Sequence, residues 1–293
     1  MSNSGSTLTT TPHRGRTGET ILRITARVVG FVILVTLSVT FVVPFLWQVI
    51  LSLSSLADVD RIALLGVPPT VHPESYVRVF EIVAYAKAFF NSFFIAGWVT
   101  LLQVVTSAMA AFAFSRLQWP GRDRLFLLYL ATMMIPGVVL MVPNFALILS
   151  LGLFNTYAGL IIPAAFSAYG TFLLRQFMLT IPSSLDEAAA IDGAGPVRIF
   201  LDVILPLTRP GLIVLTIFTF LGNYNSFFWP LVLIKDENLR TLPIALRAFD
   251  TTYGTDTPAL MAASLMAMIP PIIIFILLQR YLVKGIQLGA VKG

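Results

Sequence analysis

The chain has 293 residues, 57% of them hydrophobic and 11% charged, with a mean hydropathy of +0.87. Soluble domains run near ~45–50% apolar and ~25% charged, so this composition excludes an ordinary soluble domain and points to a membrane-embedded chain. Cysteine is absent, the two histidines (His13 and His72) lie far apart, and the net charge of +5 is spread over the ends of apolar runs; disulfides, thiol chemistry, a histidine-based metal or catalytic site and nucleic-acid binding are excluded together.

Taken in chain order, residues 1–27 form a polar leader whose first part is rich in Ser, Thr and Gly, which predicts a disordered cytoplasmic tail. Six apolar segments follow, near 28–51, 91–114, 125–149, 153–174, 210–234 and 259–279, none containing Asp, Glu, Lys, Arg or His. Each meets the ~20 residues that a helix needs to cross a ~30 Å hydrocarbon core. The first is too long for a cleaved signal peptide and five more follow it, so it reads as a signal-anchor. Segments 52–90 and 235–258 are the long outer loops, and the first is expected to fold as a small cap with short helices. The predicted fold is all-α: a polytopic membrane protein with six transmembrane helices, its membrane domain covering 28–283 and a cytoplasmic tail covering 284–293.

Orientation follows from the excess of Lys and Arg in cytoplasmic loops. With the N-terminus inside, the inner segments hold Arg14, Arg16, Arg23, Arg27, Arg116, Arg122, Arg124, Arg175, Arg198, Arg209, Arg280, Lys284 and Lys292, thirteen of the 19 basic residues. The outer ones hold only Arg61, Arg78, Lys87, Lys235, Arg240 and Arg247, the remaining six. Both termini are therefore expected in the cytoplasm.

The polar stretch 182–209 is then a cytoplasmic loop. Pro182 ends the preceding helix. Ser184-Leu185-Asp186-Glu187 fits a capping box, and its two acids suit the positive end of a helix dipole. Ala188, Ala189 and Ala190 favour helix and leave a smooth surface. Gly193 and Gly195 are expected to stop that helix or to admit another backbone, and Pro196 suits the first turn of a second helix. Val197, Phe200, Ile204 and Leu207 recur at helical spacing on it, Arg198 and Asp202 are spaced to pair, and Pro206 and Pro210 break the chain again. An interfacial helix would carry Lys and Arg on its polar face. An alanine-smooth helix with an acidic start suits a protein groove better.

At these residues a resemblance becomes specific. Glu187, Ala188, Ala189, Gly193, Ile204, Leu205 and Pro206 resemble the Glu-Ala-Ala signature of binding-protein-dependent ABC importer permeases, in that family's spacing, and Asp192 and Ala194 complete the Asp-Gly-Ala of its sugar permeases. The run Asn155 to Pro163, the Trp229-Pro230 pair, Arg240-Thr241-Leu242-Pro243 and the last ten residues resemble further motifs of the group. Gly222-Asn223-Tyr224-Asn225 departs from the acid-containing run that often precedes the Trp-Pro pair. The resemblance covers residues 28–293.

It implies a type I ABC importer permease fold at the bacterial inner membrane. The 182–209 loop would be a coupling helix seated on a cytoplasmic ABC ATPase dimer, with Glu187, Ala188, Ala189, Asp192, Gly193, Ile204, Leu205 and Pro206 as coupling residues. A second, related permease would complete the pathway, and an extracytoplasmic solute-binding protein would deliver a sugar or sugar-like solute. No Lys is followed by Ser or Thr, so the chain has no phosphate-binding P-loop. It is expected to bind no cofactor itself, ATP and Mg²⁺ being held by the ATPase.

Polar groups in the spans divide between lining a path and bonding helix to helix. Asn223, Asn225, Tyr169 and Gln103 are the candidate pathway residues, with Asn144 and Tyr224 also at membrane depth; Asn223 and Asn225 do not share a helical face. Pro136, Pro143 and Pro163 are expected to kink spans, and the tryptophans to anchor them at interfaces. Two other functions compete. A proton-coupled carrier needs an intramembrane Asp, Glu or His, which the six segments lack, although sodium coupling through carbonyls leaves less trace. A membrane enzyme needs acid, base or nucleophile close together, and only the loop carboxylates Asp186, Glu187, Asp192 and Asp202 offer themselves.

Overall fold

The computed structural model describes residues 16–59, 70–251 and 254–290. Helices α1 (Arg16–Ser52), α2 (Glu74–Ile82) and α3 (Tyr85–Ser115) open the fold. Next come α4 (Arg122–Ala131), α5 (Met141–Ser150), α6 (Tyr157–Ile161) and α7 (Ala168–Leu179). The expected coupling loop supplies α8 (Ser184–Ile191) and α9 (Pro196–Leu207), which lead into α10 (Arg209–Tyr224). The chain closes with α11 (Phe228–Leu233), α12 (Leu242–Ala245) and α13 (Thr257–Ala290). A two-residue ladder, Asp250–Thr251 with Gly254–Thr255, is the only strand pairing among the described residues, so the architecture is all-α.

α3 is the central post. It packs against α7 and α10, while α13 lies against α10 and α1. Its buried face is small-residue rich, with Ala88, Ser92, Ala96, Ser107, Ala108 and Ala111. Lipid gives apolar helices no reason to associate through hydrophobicity alone, so close approach of small residues and interhelical hydrogen bonds hold such bundles. Tyr85 Oη accordingly donates to the Ala263 carbonyl at 2.8 Å, and Tyr224 Oη to the Ala267 carbonyl at 3.1 Å. At the other end of the bundle a second apolar cluster gathers Phe112, Leu174, Met178, Ile204 and Leu215. α1 is apolar and exposed from Ile24 to Trp47, as expected of a helix facing lipid, and is buried only at its end, at Leu51 and Ser52.

The six expected spans are not six unbroken helices. Four continuous segments are long and apolar enough to cross a bilayer, Ile24–Ser52, Tyr85–Ser115, Tyr157–Leu179 and Thr257–Gln279, and a fifth arises if Pro196–Leu207 and Arg209–Tyr224 count together across a 75° bend. The third expected segment is divided between α4 and α5. Ile135 is extended, at φ −82° and ψ 116°, because a residue before proline is pushed out of the helical region, and Pro136 follows it. Pro143 sits in the first turn of α5, where its missing N–H costs nothing, so it does not kink a span. The fifth segment is divided at Asn225–Phe227, between α10 and α11. Pro163 behaves as expected: it starts a tight turn within Tyr157–Leu179, and the carbonyls freed there, Ala164 and Ala165, accept from Gln103 Nε2 (3.1 Å) and Thr106 Oγ1 (2.8 Å).

The terminal boundaries also move. Helix begins at Arg16, inside the stretch expected as a disordered tail, and α13 continues through Ala290, past the expected end of the membrane domain at 283. Residues 1–15 and 291–293, and Pro68-Pro69 of the outer cap, lie outside the described residues. In the cap, α2 is pinned by an Arg78–Asp256 ion pair and by Ser52 Oγ to Tyr76 Oη at 3.0 Å.

Candidate functional site

The expected coupling loop folds as two short helices with a turn between them. α8 starts one residue earlier than a capping box requires. Ser183 is its N-cap, and the Asp186 and Glu187 amides donate to the Ser183 carbonyl at 2.9 and 3.1 Å. Ser184 is already helical, so its hydroxyl does not cap, and the expected Ser184–Glu187 box is absent. The stop is sharp: Gly193 takes φ +81°, its amide bonds the Ala190 carbonyl (3.0 Å), and the Ala194 amide bonds Ala189 (2.9 Å). These paired bonds make a Schellman cap, which favours glycine at the left-handed residue. A Cβ placed on Gly193 would meet nothing within 4 Å, so the glycine serves the turn and not a close approach of another backbone. Pro196 opens α9 with Gly195 as its N-cap. A π-helical turn, Ile199–Ile204, lies just before Pro206, which has no N–H to give the ladder. The chain therefore passes through Pro206 and bends at Thr208 instead.

The signature divides into two halves. Glu187, Ala188, Asp192 and Gly193 are exposed and Ala189 is half-exposed, with Ile191 beside them at 87% exposure. Ile204 is fully buried in the second apolar cluster, Leu205 is half-buried against it, and Pro206 is half-buried. Of the expected apolar stripe on α9, Phe200 and Ile204 face that cluster, whereas Val197 is 71% exposed and Leu207 is also exposed. Arg198 and Asp202 pair at 3.3 Å, both in solvent.

One anchoring group escaped the sequence reading. Arg116, just past the end of α3, has a side chain only 8% exposed. It pairs with Asp186 at 2.9 Å and donates to the carbonyls of Met178 and Ile181 (2.7 Å for the latter). It ties the coupling turn to both α3 and α7. The only signal was an arginine directly after an apolar run, one of thirteen basic residues assigned to the cytoplasmic side. Nearby, a hydrogen bond from Arg122 and the charges of Arg122 and Arg175 hold the Asp123 carboxyl below the usual range.

The expected pathway residues separate. Gln103 is used at both ends, donating to Ala164 and accepting from Thr219 Oγ1 at 2.8 Å, so it bonds helix to helix. Tyr169 is 47% exposed and Asn225 is exposed, its amide bonding the Leu221 carbonyl at 3.0 Å. Of these four only Asn223 lines a cavity, a partly open one of about 170 Å³, together with Asn144, Ser226, Trp229 and Thr241. Trp229 is half-buried and lines this cavity. Sequence reading marked Thr241 only as a motif member, took Trp229 for a motif member and an interface anchor, and missed Ser226 as a lining residue. Among the described residues no group of Asp, Glu and His could hold a metal ion.

The motifs at the outer end have structural work. Asn155 adopts φ 58°, and its Oδ1 accepts the amides of Lys235 (2.9 Å) and Asp236 (2.8 Å). Thr156 caps α6 by accepting from the Gly159 amide at 3.1 Å. Asn91 Nδ2 donates to the carbonyls of Asn238 and Arg240, both at 2.9 Å, and Asn91 Oδ1 accepts from Tyr157 Oη at 2.7 Å.

Residues 103–288 match the sequence profile of the binding-protein-dependent transport system inner membrane component. The chain is 37% identical over 235 residues to the arabinooligosaccharides transport system permease protein AraQ of Halalkalibacterium halodurans, covering 80% of this chain and 84% of that one. It is 33% identical over 270 residues to the sn-glycerol-3-phosphate transport system permease protein UgpE of Rhizobium meliloti, covering 89% and 96%. Its fold superposes with a TM-score of 0.78 at 24% identity on a chain of a bacterial ABC transporter involved in the import of the acidic polysaccharide alginate, covering 92% of this chain and 99% of that one. The chain therefore belongs to the binding-protein-dependent transport system inner membrane components: it is a multi-pass permease subunit of an ABC importer, and ATP hydrolysis belongs to a separate subunit.

Proposed function

We propose that this permease supplies half of the pathway for a sugar or sugar-like solute, with both termini cytoplasmic and six crossings, two of them as divided helices. A second permease supplies the other half, a solute-binding protein loads the outer face, and an ABC ATPase dimer with its Mg-ATP engages α8. The exposure of the signature carries this reading. Glu187, Ala188 and Asp192 face solvent on a helix whose ends are already satisfied by its own backbone, next to an Ile191 that is 87% exposed. A bare, rigid, acid-and-alanine helix beside an exposed isoleucine fits a protein groove, whereas a lipid-facing helix would present Lys and Arg. The names of the relatives support a carbohydrate-type solute. The six apolar segments hold no basic residue, which favours a neutral sugar over an anion unless the partner permease supplies charge.

The test is co-purification and uptake. Wild-type chain, extracted in mild detergent, should bring down an ABC ATPase and a second permease. Glu187→Lys should abolish uptake while the chain still inserts and folds, because that position is exposed, and Gly193→Asp should abolish it while also straining the left-handed turn that ends α8. Uptake that survives both substitutions would refute the coupling role.

A further inference from the structure

The coupling turn hangs from the bundle by very little. No side chain of α8 is fully buried, and its main packing neighbour is the π-helical turn Ile199–Ile204 of α9, itself a defect in a helix ladder. The chain joins α8 to α7 directly, through residues 180–183. No neighbouring stretch of chain joins it to α3, the central post, which ends far earlier in sequence at Ser115.

Arg116 supplies that join. Its side chain is 8% exposed, and it holds three elements at once. It follows α3 directly, it donates to the Met178 and Ile181 carbonyls at the end of α7, and it pairs at 2.9 Å with Asp186 in the first turn of α8. A second arginine stiffens the block on which it pulls. Arg175 Nε, on α7, donates to the Phe114 carbonyl at the end of α3 at 3.1 Å, and its guanidinium lies 4.1 Å from the centre of the Phe126 ring on α4. The adjoining ends of α3, α4 and α7 are thus locked together, and α8 grips that block at one carboxylate.

The grip is poorly built for stability alone. Arg116 Nε and Asp186 Oδ1 are both buried with no hydrogen-bond partner. A guanidinium and a carboxylate can meet through two parallel bonds, and this pair makes one. Buried polar groups left unbonded are costly, and taking a charged pair out of water offsets much of its attraction. What the pair does supply is geometry: the planar fork fixes where Asp186 stands relative to α3 and α7.

We infer that Arg116 is a positioning residue for coupling: through Asp186 it makes α8 move as one body with α3 and α7. A push on the exposed face of α8 then reaches the central post through a continuous set of contacts instead of being lost in the π turn. The inference rests on the coupling reading above and deepens it, by naming the contact through which α8 acts. The rival is a plain fastening, which needs no rigid geometry.

The chain has no cysteine, so two nitroxide labels can be placed at chosen points, Ser184→Cys on α8 and Leu101→Cys on α3, both exposed positions. The importer is co-purified with its partner subunits and placed in lipid vesicles. Pulsed electron paramagnetic resonance then reads the label-to-label distance without nucleotide and with Mg-ATP. The same importer carrying only Ser184→Cys supplies the background from the partner subunits. With Arg116 and Asp186 intact, one narrow distance should persist in both states. Arg116→Lys keeps the charge but loses the fork, and Asp186→Asn keeps the shape but loses the charge. In each, Mg-ATP should shift or broaden the distance, because α8 then moves without α3. A distance that stays narrow and unmoved in either variant would show a plain fastening and overturn the inference. A shift on adding Mg-ATP with the pair intact would overturn it too, since α8 would then move independently of α3. Failure of the coupling reading shows itself differently: no ABC ATPase co-purifies with the chain, and the joint has nothing to transmit.

Discussion

The motifs at the two ends of this molecule do opposite work. At the outer end, Asn155, Thr156, Gly159 and Thr241 face inward, and the first three spend their polar groups within the chain. At the coupling end, Glu187, Ala188 and Asp192 face solvent and spend nothing, while Asp186, their unremarked neighbour, carries the only ion pair of α8. A recurring residue at the outer end is therefore read as architecture, and one at the coupling end as surface for another subunit. The difference predicts which substitutions unfold the chain and which only disconnect it.

The largest effect on stability is expected at Arg116, where the coupling end is fastened to the bundle. Arg116→Met leaves Asp186 partly buried without its partner and strips donors from the Met178 and Ile181 carbonyls. Removing one member of a buried pair costs about 3–5 kcal/mol. The lower end applies here, because the Asp186 side chain is 22% exposed. Thermal unfolding in detergent should show a clear loss for the single variant. Arg116→Met with Asp186→Leu should recover much of it, since replacing a buried pair by apolar groups is often close to neutral. Recovery of stability without recovery of uptake would separate fastening from force transmission. A single variant as stable as wild type would show that α8 is held by packing alone.

Next in size is Gly159→Ala at the outer end. A methyl built there would lie 2.2 Å from the Leu153 carbonyl oxygen. That oxygen already accepts from Thr156 Oγ1 at 2.7 Å, so the turn has little room to retreat. Overpacking of this kind costs about 1–3 kcal/mol. The membrane-inserted yield and the melting temperature should both fall. Wild-type values would mean that the turn preceding α6 is looser than its hydrogen bonds imply.

Much of this was legible beforehand, and the reasons for the rest are local. Long apolar runs gave the all-α membrane class, because a bilayer leaves a chain few other ways to satisfy its backbone. Gly193 was readable as a stop because a left-handed cap favours glycine there. The division of the third span was not, since counting apolar residues ignores what Pro136 does to Ile135. The capping box failed by one residue, a shift within the ordinary uncertainty of helix ends. At the cavity, Asn223 was singled out as polar at membrane depth. Ser226 and Trp229 reach it only because the chain leaves helix after Tyr224, and periodicity continued through that point cannot show it.

The smallest effect should come from Arg198 and Asp202, the pair that sequence spacing anticipated most directly. They meet at 3.3 Å on α9, but their side chains are 72% and 63% exposed. Water and salt screen such a pair, and exposed pairs four residues apart on a helix contribute only about 0.3–0.5 kcal/mol. Arg198→Ala should therefore leave the melting temperature nearly unchanged, in contrast to Arg116→Met a short distance away. Both residues are arginines near the coupling loop and each pairs with an aspartate; what separates them is burial. A loss of uptake in Arg198→Ala at unchanged stability would mark Arg198 as a contact for the ATPase and extend the coupling surface from α8 onto α9. Unchanged uptake would confine that surface to α8 and its glycine turn.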